Sequence, residues 1–353
     1  MINSSGKRVL VLGQGPQVQA LVATLAALPG VQSVRQQASY TLHAPLPNAD
    51  LCIELLEGLS VAHSAAMQAL AQGMGLVVGS PMLAATHGQL LETAARGQGA
   101  YFCCAAHGLG ALPTLLQSAQ AFQLLWLPHS AAQGAIGRMY ARTEMPELAL
   151  RQLQLRGTET TDGSGKITHA KAHALLGAWQ GVWLQAAKQA RVGLEHLTLP
   201  LLPLLNKLEL KLVYGCRLTA HTITTTPMVM AATDAPVVAD TETLIATTSH
   251  GEMRLTLPAG SGLNAAILQA VQAFSAGQRR VARVPAMLAE RGEGLQLVVG
   301  EASMPPQVLA EAKAGTLRVA VVSQEVPVPE GCFALPVAGG YAPPMATKLR
   351  LVG

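Results

Sequence analysis

The stretch VLVLGQGPQV, residues 9–18, decides how the rest of the chain is read. Four apolar residues run into Gly13-Gln14-Gly15, and a proline follows. An unbroken apolar run of this length reads as a strand buried on both faces. Pro16 suits the first turn of a helix, where its missing N–H costs little. A tight turn between a parallel strand and a helix brings backbone N–H groups and a helix N-terminus to one point, and that point attracts a pyrophosphate. Gly13 would make the turn, and Gly15 would let a phosphate approach the backbone. Val18 stands where the third glycine of a G-x-G-x-x-G pattern is expected, a change that bears on helix placement more than on phosphate contact. The same residues are also compatible with a purely structural βα turn.

Working outward, the next hundred residues alternate between short apolar strands and helices. QVQALVATLAAL (17–28) has helical spacing and stops at Pro29-Gly30. VQSVRQ (31–36), ADLCIELLE (49–57), MGLVVGS (74–80) and AYFCCAA (100–106) read as strands. SAAMQALAQG (64–73) and THGQLLETAARGQG (86–99) read as helices. This alternation predicts an α/β fold, a Rossmann-like doubly wound parallel sheet. After about residue 125 the pattern changes. LALRQLQLRGTETT (148–161) alternates like a half-exposed strand, and ITHAKAHALLGAWQGVWLQAAKQA (167–190) reads as one long amphipathic helix. LELKLVYGCRLTAHTITTT (208–226) and TETLIATTSHGEMRLTLP (241–258) read as strands of an open mixed sheet. NAAILQAVQAFSAG (264–277) reads as a helix returning to the first domain. GLQLVVG, PPQVLAEAKAG and LRVAVVS (294–323) suggest a βαβ unit, and 333–353 shows no clear element. The expected domains are 1–128, Rossmann-like; 129–275, a second α+β domain; and 276–353, a C-terminal extension.

Bulk composition narrows the function. Of 353 residues half are apolar, only 3% are aromatic and only 12% are charged. An apolar share carried by Ala, Leu and Val suits helices on a buried parallel sheet. A surface so poor in charge points to a homo-oligomer, a dimer in the simplest case. The net charge of +4 is small and spread out. Its densest basic cluster, GQRRVAR (277–283), lacks interleaved aromatics, so nucleic acid is not an expected partner. Five cysteines without metal spacing indicate a reduced, cytoplasmic chain and no metal site. MINSSGKRVLVLG has no apolar leader segment, and no run of about 18 apolar residues predicts a membrane span.

Several polar residues are candidates for chemistry. The second strand, VQSVRQQ, ends without the acid that binds a ribose 2′-hydroxyl. It offers Arg35, which suits a 2′-phosphate and hence NADP rather than NAD. In the helix from 167, Lys171 falls in a stripe with Ile167, Ala174, Leu175, Val182 and Ala186. A charge on an apolar stripe must face a cleft, meet an acid or snorkel out. In a cleft it would transfer a proton or anchor a substrate. Asp162, in the turn just ahead, is either a second polar group of that cleft or a plain turn acid. His169 and His173 are four apart on one helix face, with no third ligand in sight.

The run GLVVGSPMLAATHGQLLETAARGQGAYFCCAAHGLGALPTLLQ (75–117) resembles the homoserine dehydrogenase family. Its matching pieces are Gly79-Ser80-Pro81, His87-Gly88 and His107-Gly108-Leu109-Gly110. DGSGKITHAK (162–171) is similar to that family's run carrying a catalytic Asp and Lys: Asp162, Gly165 and Lys171 match, while Ile167 stands at the catalytic Asp. The family's other active-site Lys would fall at Pro81–Met82. LKLVYG (210–215) and GEMRLTLPAGSGLNAAILQAV (251–271) look like later parts of the same domain, so the resemblance spans about residues 8–275. The related L-aspartate dehydrogenases are similar over residues 75–117, and their catalytic His on a strand finds a loose counterpart in His221. The resemblance implies an NAD(P)-dependent oxidoreductase acting on a small amino or hydroxy acid, or a binding or assembly protein that kept the fold without the chemistry. The candidate catalytic residues are Lys171, Asp162 and His221. The candidate cofactor-binding residues are Gly13, Gln14, Gly15, Pro16, Arg35, Glu57 and Ser80.

Overall fold

The computed structural model describes residues 6–42, 44–109, 121–128, 136, 165–185, 189–194, 197, 201–235, 241–248, 251–258, 262–278, 294–301, 304–305 and 307–338. The chain divides into two compact units, each discontinuous in sequence. One comprises Met1–Gln120, His169–Lys188 and Pro258–Met287; the other comprises Ala121–Thr168, Gln189–Leu257 and Leu288–Gly353.

The first unit is built on a parallel sheet of five strands, β1 (Lys7–Leu12), β2 (Val31–Gln37), β3 (Leu51–Glu54), β4 (Gly75–Val78) and β5 (Phe102–Cys104), in the order β2-β1-β3-β4-β5. The helices α1 (Pro16–Ala26), α2 (Leu59–Ala71) and α3 (Pro81–Gly97) alternate with the strands, as the periodicity predicts. The sheet is packed on both faces, which is why its strands are apolar at nearly every position. On one face Leu10, Leu12, Cys52, Leu76 and Val78 meet the buried alanines and leucines of α2 and α3. On the other Val9, Val11, Ile53 and Val77 meet α1 and α6 (Gly262–Ser275), with Ile267 and Val271 completely buried. Each fully buried Leu, Val or Ile contributes roughly 1.5–3 kcal/mol. The hydroxyl of Tyr101 donates to Ala270 C=O at 3.0 Å, which fixes the returning helix α6. Val18 is buried in this core, so its side chain fills the interface between helix and sheet and leaves the turn before it clear.

α4 (Lys166–Gln180) stops ten residues short of the expected helix. Gly181 takes a left-handed φ of +67°, and the chain folds back. Trp183 then lies against Gly88 of α3 and Gly177 of α4, where any Cβ would overlap its ring. Its indole N–H donates to Glu92 Oε2 at 2.9 Å. The single apolar stripe expected on this helix is also corrected. Ile167 is 42% exposed, Val182 lies past the helix end, and Ala172 through Gly177 are all buried. A segment buried on more than one side has no single core face, so angular position alone does not place Lys171.

The second unit is a mixed sheet of ten strands among the described residues. It runs β11 (Gly251–Pro258), β10 (Thr241–Thr248), β6 (Ala121–Leu127), β8 (Leu210–Leu218), β9 (Ile223–Ala231), β15 (Phe333–Ala338), β12 (Leu295–Gly300), β14 (Leu317–Ser323), β13 (Ala310–Ala314), with β7 (Gln189–Arg191) beside β9. The short helix α5 (Leu201–Lys207) buries Leu201, Leu204 and Leu205 against β8, β12 and β14. The expected βαβ unit is overturned. β12 and β14 are antiparallel, and the residues expected to form its helix make the edge strand β13. AEAKA has strong helix formers, but it also alternates strictly. Ala312 points into the core, and Glu311 pairs across the hairpin with Arg318 at 2.6 Å. Period two within a sheet outweighs helix propensity. The tail contributes β15, which completes the sheet by pairing parallel to β9 and antiparallel to β12.

Candidate functional site

The C-terminal ends of β1, β3 and β4 form one edge of the parallel sheet. β1 is followed by a helix on one face and β3 by a helix on the other. The crevice between such strands is where open α/β sheets bind ligands. Gly13 leaves β1 with φ +141°, and a Cβ there would lie 2.7 Å from Leu55 C=O. Only glycine lets the two strand ends approach this closely. Its N–H donates to Gln37 C=O at 2.9 Å, and the Gln36 side-chain amide donates to its C=O at 3.0 Å. The turn is thus clamped from β2 and β3. Gly15 follows with φ +105° as the N-cap of α1, and nothing lies within 4 Å of where its Cβ would be. This cradle is open, and Pro16 begins the helix behind it.

Three helices begin at this edge, and none of them is capped. Gly15, Gly58 and Ser80 are the N-caps of α1, α2 and α3. None makes a side-chain cap hydrogen bond, and no first turn contains an acid. Each helix N-terminus presents N–H groups and roughly half a positive charge. A serine at an N-cap ordinarily accepts from the helix's own N–H groups. Here the Ser80 hydroxyl instead donates to Glu54 Oε1 at 2.8 Å. The positive ends of α1 and α2 thus have no capping side chain, and that of α3 has the Glu54 carboxyl beside its N-cap residue.

Glu54 is the group that sequence reasoning passed over. It ends β3 with no solvent exposure, between Leu12 of β1 and Val78 of β4. Its Oε1 also accepts from Leu56 N–H at 2.7 Å, while Oε2 is enclosed without a partner. Burial pushes this carboxyl up to about 7, against the opposing pull of the Ser80 and Leu56 hydrogen bonds. A carboxyl raised this far exchanges its proton near neutrality, and in its protonated form it adds no negative charge to the crevice, so that form fits a pyrophosphate. The signal was a lone acid closing a four-residue apolar strand, in a stretch read only as a strand.

The remaining candidates lie as follows. Gln14 and Glu57 are exposed on the turns after β1 and β3, and Ser80 is half-buried. These, with Gly13, Gly15 and Pro16, lie along one edge. Arg35 is exposed on β2, with its Cα opposite Leu10, two residues short of the strand end. Lys171 is half-buried on α4. Asp162 and the expected strand 148–161 lie outside the described residues. His221 is corrected from a strand to the turn between β8 and β9, where it is exposed and its N–H donates to Thr219 Oγ1 at 3.2 Å. His107 is buried after β5. Its Nδ1 accepts from Leu109 N–H at 3.1 Å, and burial pushes it down to about 4. Cys103 and Cys104 are raised to about 12 by burial, which leaves them inert thiols. Among the described residues no group of three or more His, Cys, Asp or Glu could hold a metal, and no helix is long and apolar enough to cross a membrane.

No protein-family model and no curated protein matches the chain. The comparisons that succeed are with solved structures. A homoserine dehydrogenase from Thiobacillus denitrificans matches with a TM-score of 0.72 at 15% identity, over 94% of this chain and 98% of that one. The S. aureus homoserine dehydrogenase at pH 6.0 matches with a TM-score of 0.71 at 13% identity, over 95% and 99%. A hyperthermophilic archaeal homoserine dehydrogenase in complex with NADPH matches with a TM-score of 0.59 at 12% identity, over 79% and 100%. At such identity what is shared is the fold: this chain has the architecture of the homoserine dehydrogenases, a Rossmann-like parallel sheet joined to a second unit built on a mixed sheet.

Proposed function

We propose that this protein is an NAD(P)-dependent oxidoreductase acting on a small amino or hydroxy acid. The observation that carries the reading is the sheet edge at which three uncapped helix N-termini and the open backbone of Gly15 coincide. A diphosphate is the common anion that such an edge suits. The archaeal neighbour, solved with NADPH, supports the same reading by its fold. When bound, the nicotinamide supplies the hydride donor or acceptor. The protein's part is then to hold the diphosphate at Gly13–Pro16, with Gln14, Glu57 and Ser80 along the edge, and to move one proton of the substrate. Arg35 would favour the 2′-phosphate of NADP over NAD. Lys171 is the assigned proton carrier.

The test is a fluorescence titration with NADPH and NADH. Wild type should bind at least one, and Gly15→Asp, which brings a negative charge into the open cradle, should weaken it about tenfold or more. Unaltered binding by that variant would remove the site. Once a substrate is found, full turnover by Lys171→Ala would remove the lysine from the chemistry.

A second reading has its own observation. Pro81 occupies the first position of α3 and Met82 the next, where the resemblance calls for a lysine, and Ile167 stands in place of the acid. A non-catalytic relative that kept the fold for binding or assembly accounts for those residues. It predicts that neither nucleotide is reduced or oxidised across a panel of small amino and hydroxy acids.

A further inference from the structure

Glu54 is fixed on three sides. β3 sets its Cα between Leu12 and Val78, Leu56 N–H and Ser80 Oγ–H both donate to its Oε1, and Leu55 N–H bonds to Leu12 C=O beside the glycine turn. One carboxyl thereby ties the loop that leaves β3 to the start of α3. Its other oxygen is buried and unpartnered. The titratable groups around it give a negative charge little support. Cys52, two residues earlier on the same face, is a buried thiol whose ionisation Glu54 opposes. Glu57, on the loop that follows, has the same sign. Between α2 and α3, His63 and His87 stack on each other with ring centroids 4.1 Å apart. Farther along α3, Glu92 is bonded to Arg96 and Trp183. Arg35 lies on β2, beyond β1. Among the described residues no lysine or arginine bonds to Glu54.

We propose that Glu54 sets the affinity of this edge for an anionic dinucleotide through its own proton. With the carboxyl protonated, the N-terminus of α3, which Ser80 opens, is free to hold a phosphate of the ligand. With it ionised, the same positive potential is satisfied by the carboxylate, and a second anion is opposed. Glu54 is a positioning residue in this scheme and touches no reacting atom. The inference rests on the dinucleotide reading above.

The test titrates NADPH and NADH into wild type, Glu54→Gln and Ser80→Ala between about pH 5.5 and about pH 8.5, a window that brackets a buried carboxyl raised well above its usual range. Wild-type affinity should fall about tenfold as pH rises. The Gln variant keeps an acceptor for Leu56 and Ser80, and its affinity should change less than about twofold once titration of the ligand's own 2′-phosphate, common to all three proteins, is subtracted. Ser80→Ala removes a donor that favours the carboxylate and should move the wild-type midpoint to higher pH. The same pH dependence in wild type and Glu54→Gln overturns the inference alone. No binding of either nucleotide at any pH overturns the oxidoreductase reading, and the inference with it.

Discussion

At the scale of single residues, the cost of burying Glu54 should be visible in stability as well as in binding. Its carboxyl titrates at about 7 when folded against an ordinary 4.5. Between those values the folded state holds a proton that the unfolded chain has released, so stability declines as pH rises through the window. At about 1.4 kcal/mol per unit the shift amounts to roughly 3 kcal/mol. Glu54→Gln removes the titration. Its thermal midpoint should match wild type near about pH 5 and exceed it near about pH 8. A wild-type advantage that is constant across that range would mean that the carboxyl is already ionised in the folded protein. Histidine 107 contrasts with it. Burial holds its ring neutral, and a neutral ring with Nδ1 accepting must carry its proton on Nε2.

At the scale of elements, the packing of α3 against the end of α4 explains the His87-Gly88 pair that figures in the family resemblance. Gly88 and Gly177 open a slot for the Trp183 ring, and Glu92 fixes the indole N–H. A methyl group added at position 88 overlaps the ring, so Gly88→Ala should cost roughly 1–3 kcal/mol, read from denaturant unfolding followed by tryptophan fluorescence. Pairing it with Trp183→Leu should recover part of that loss, because the two sites share one contact. Additive losses would place the strain elsewhere. β13 makes the opposite point about local signals. Its alanines, glutamate and lysine favour a helix in isolation, yet the pairing of Ala310–Ala314 with β14 and the burial of Ala312 hold it as a strand.

At the scale of the whole molecule, a surface short of charge predicts a homodimer, and light scattering of the purified protein should return twice the chain mass; a monomer at micromolar concentration would leave the scarce charge without that explanation. How much of this architecture could be read from the chain follows from the range of the forces involved. The parallel sheet was legible because burial on both faces writes itself into consecutive residues: Val9–Leu12, Leu51–Ile53 and Leu76–Val78 have no polar member. The glycine turn was legible because its backbone geometry restricts which residues can stand there. The tertiary structure alone decided the rest. It ended α4 at Gln180 so that Trp183 could fill a slot made by two distant glycines, turned an apparent helix into β13, placed His221 on a turn, and shut Glu54 away from water between two strands and a serine 26 positions on. Periodicity reports which side of an element faces the core, whereas the surroundings of one carboxyl depend on partners that folding alone brings within reach.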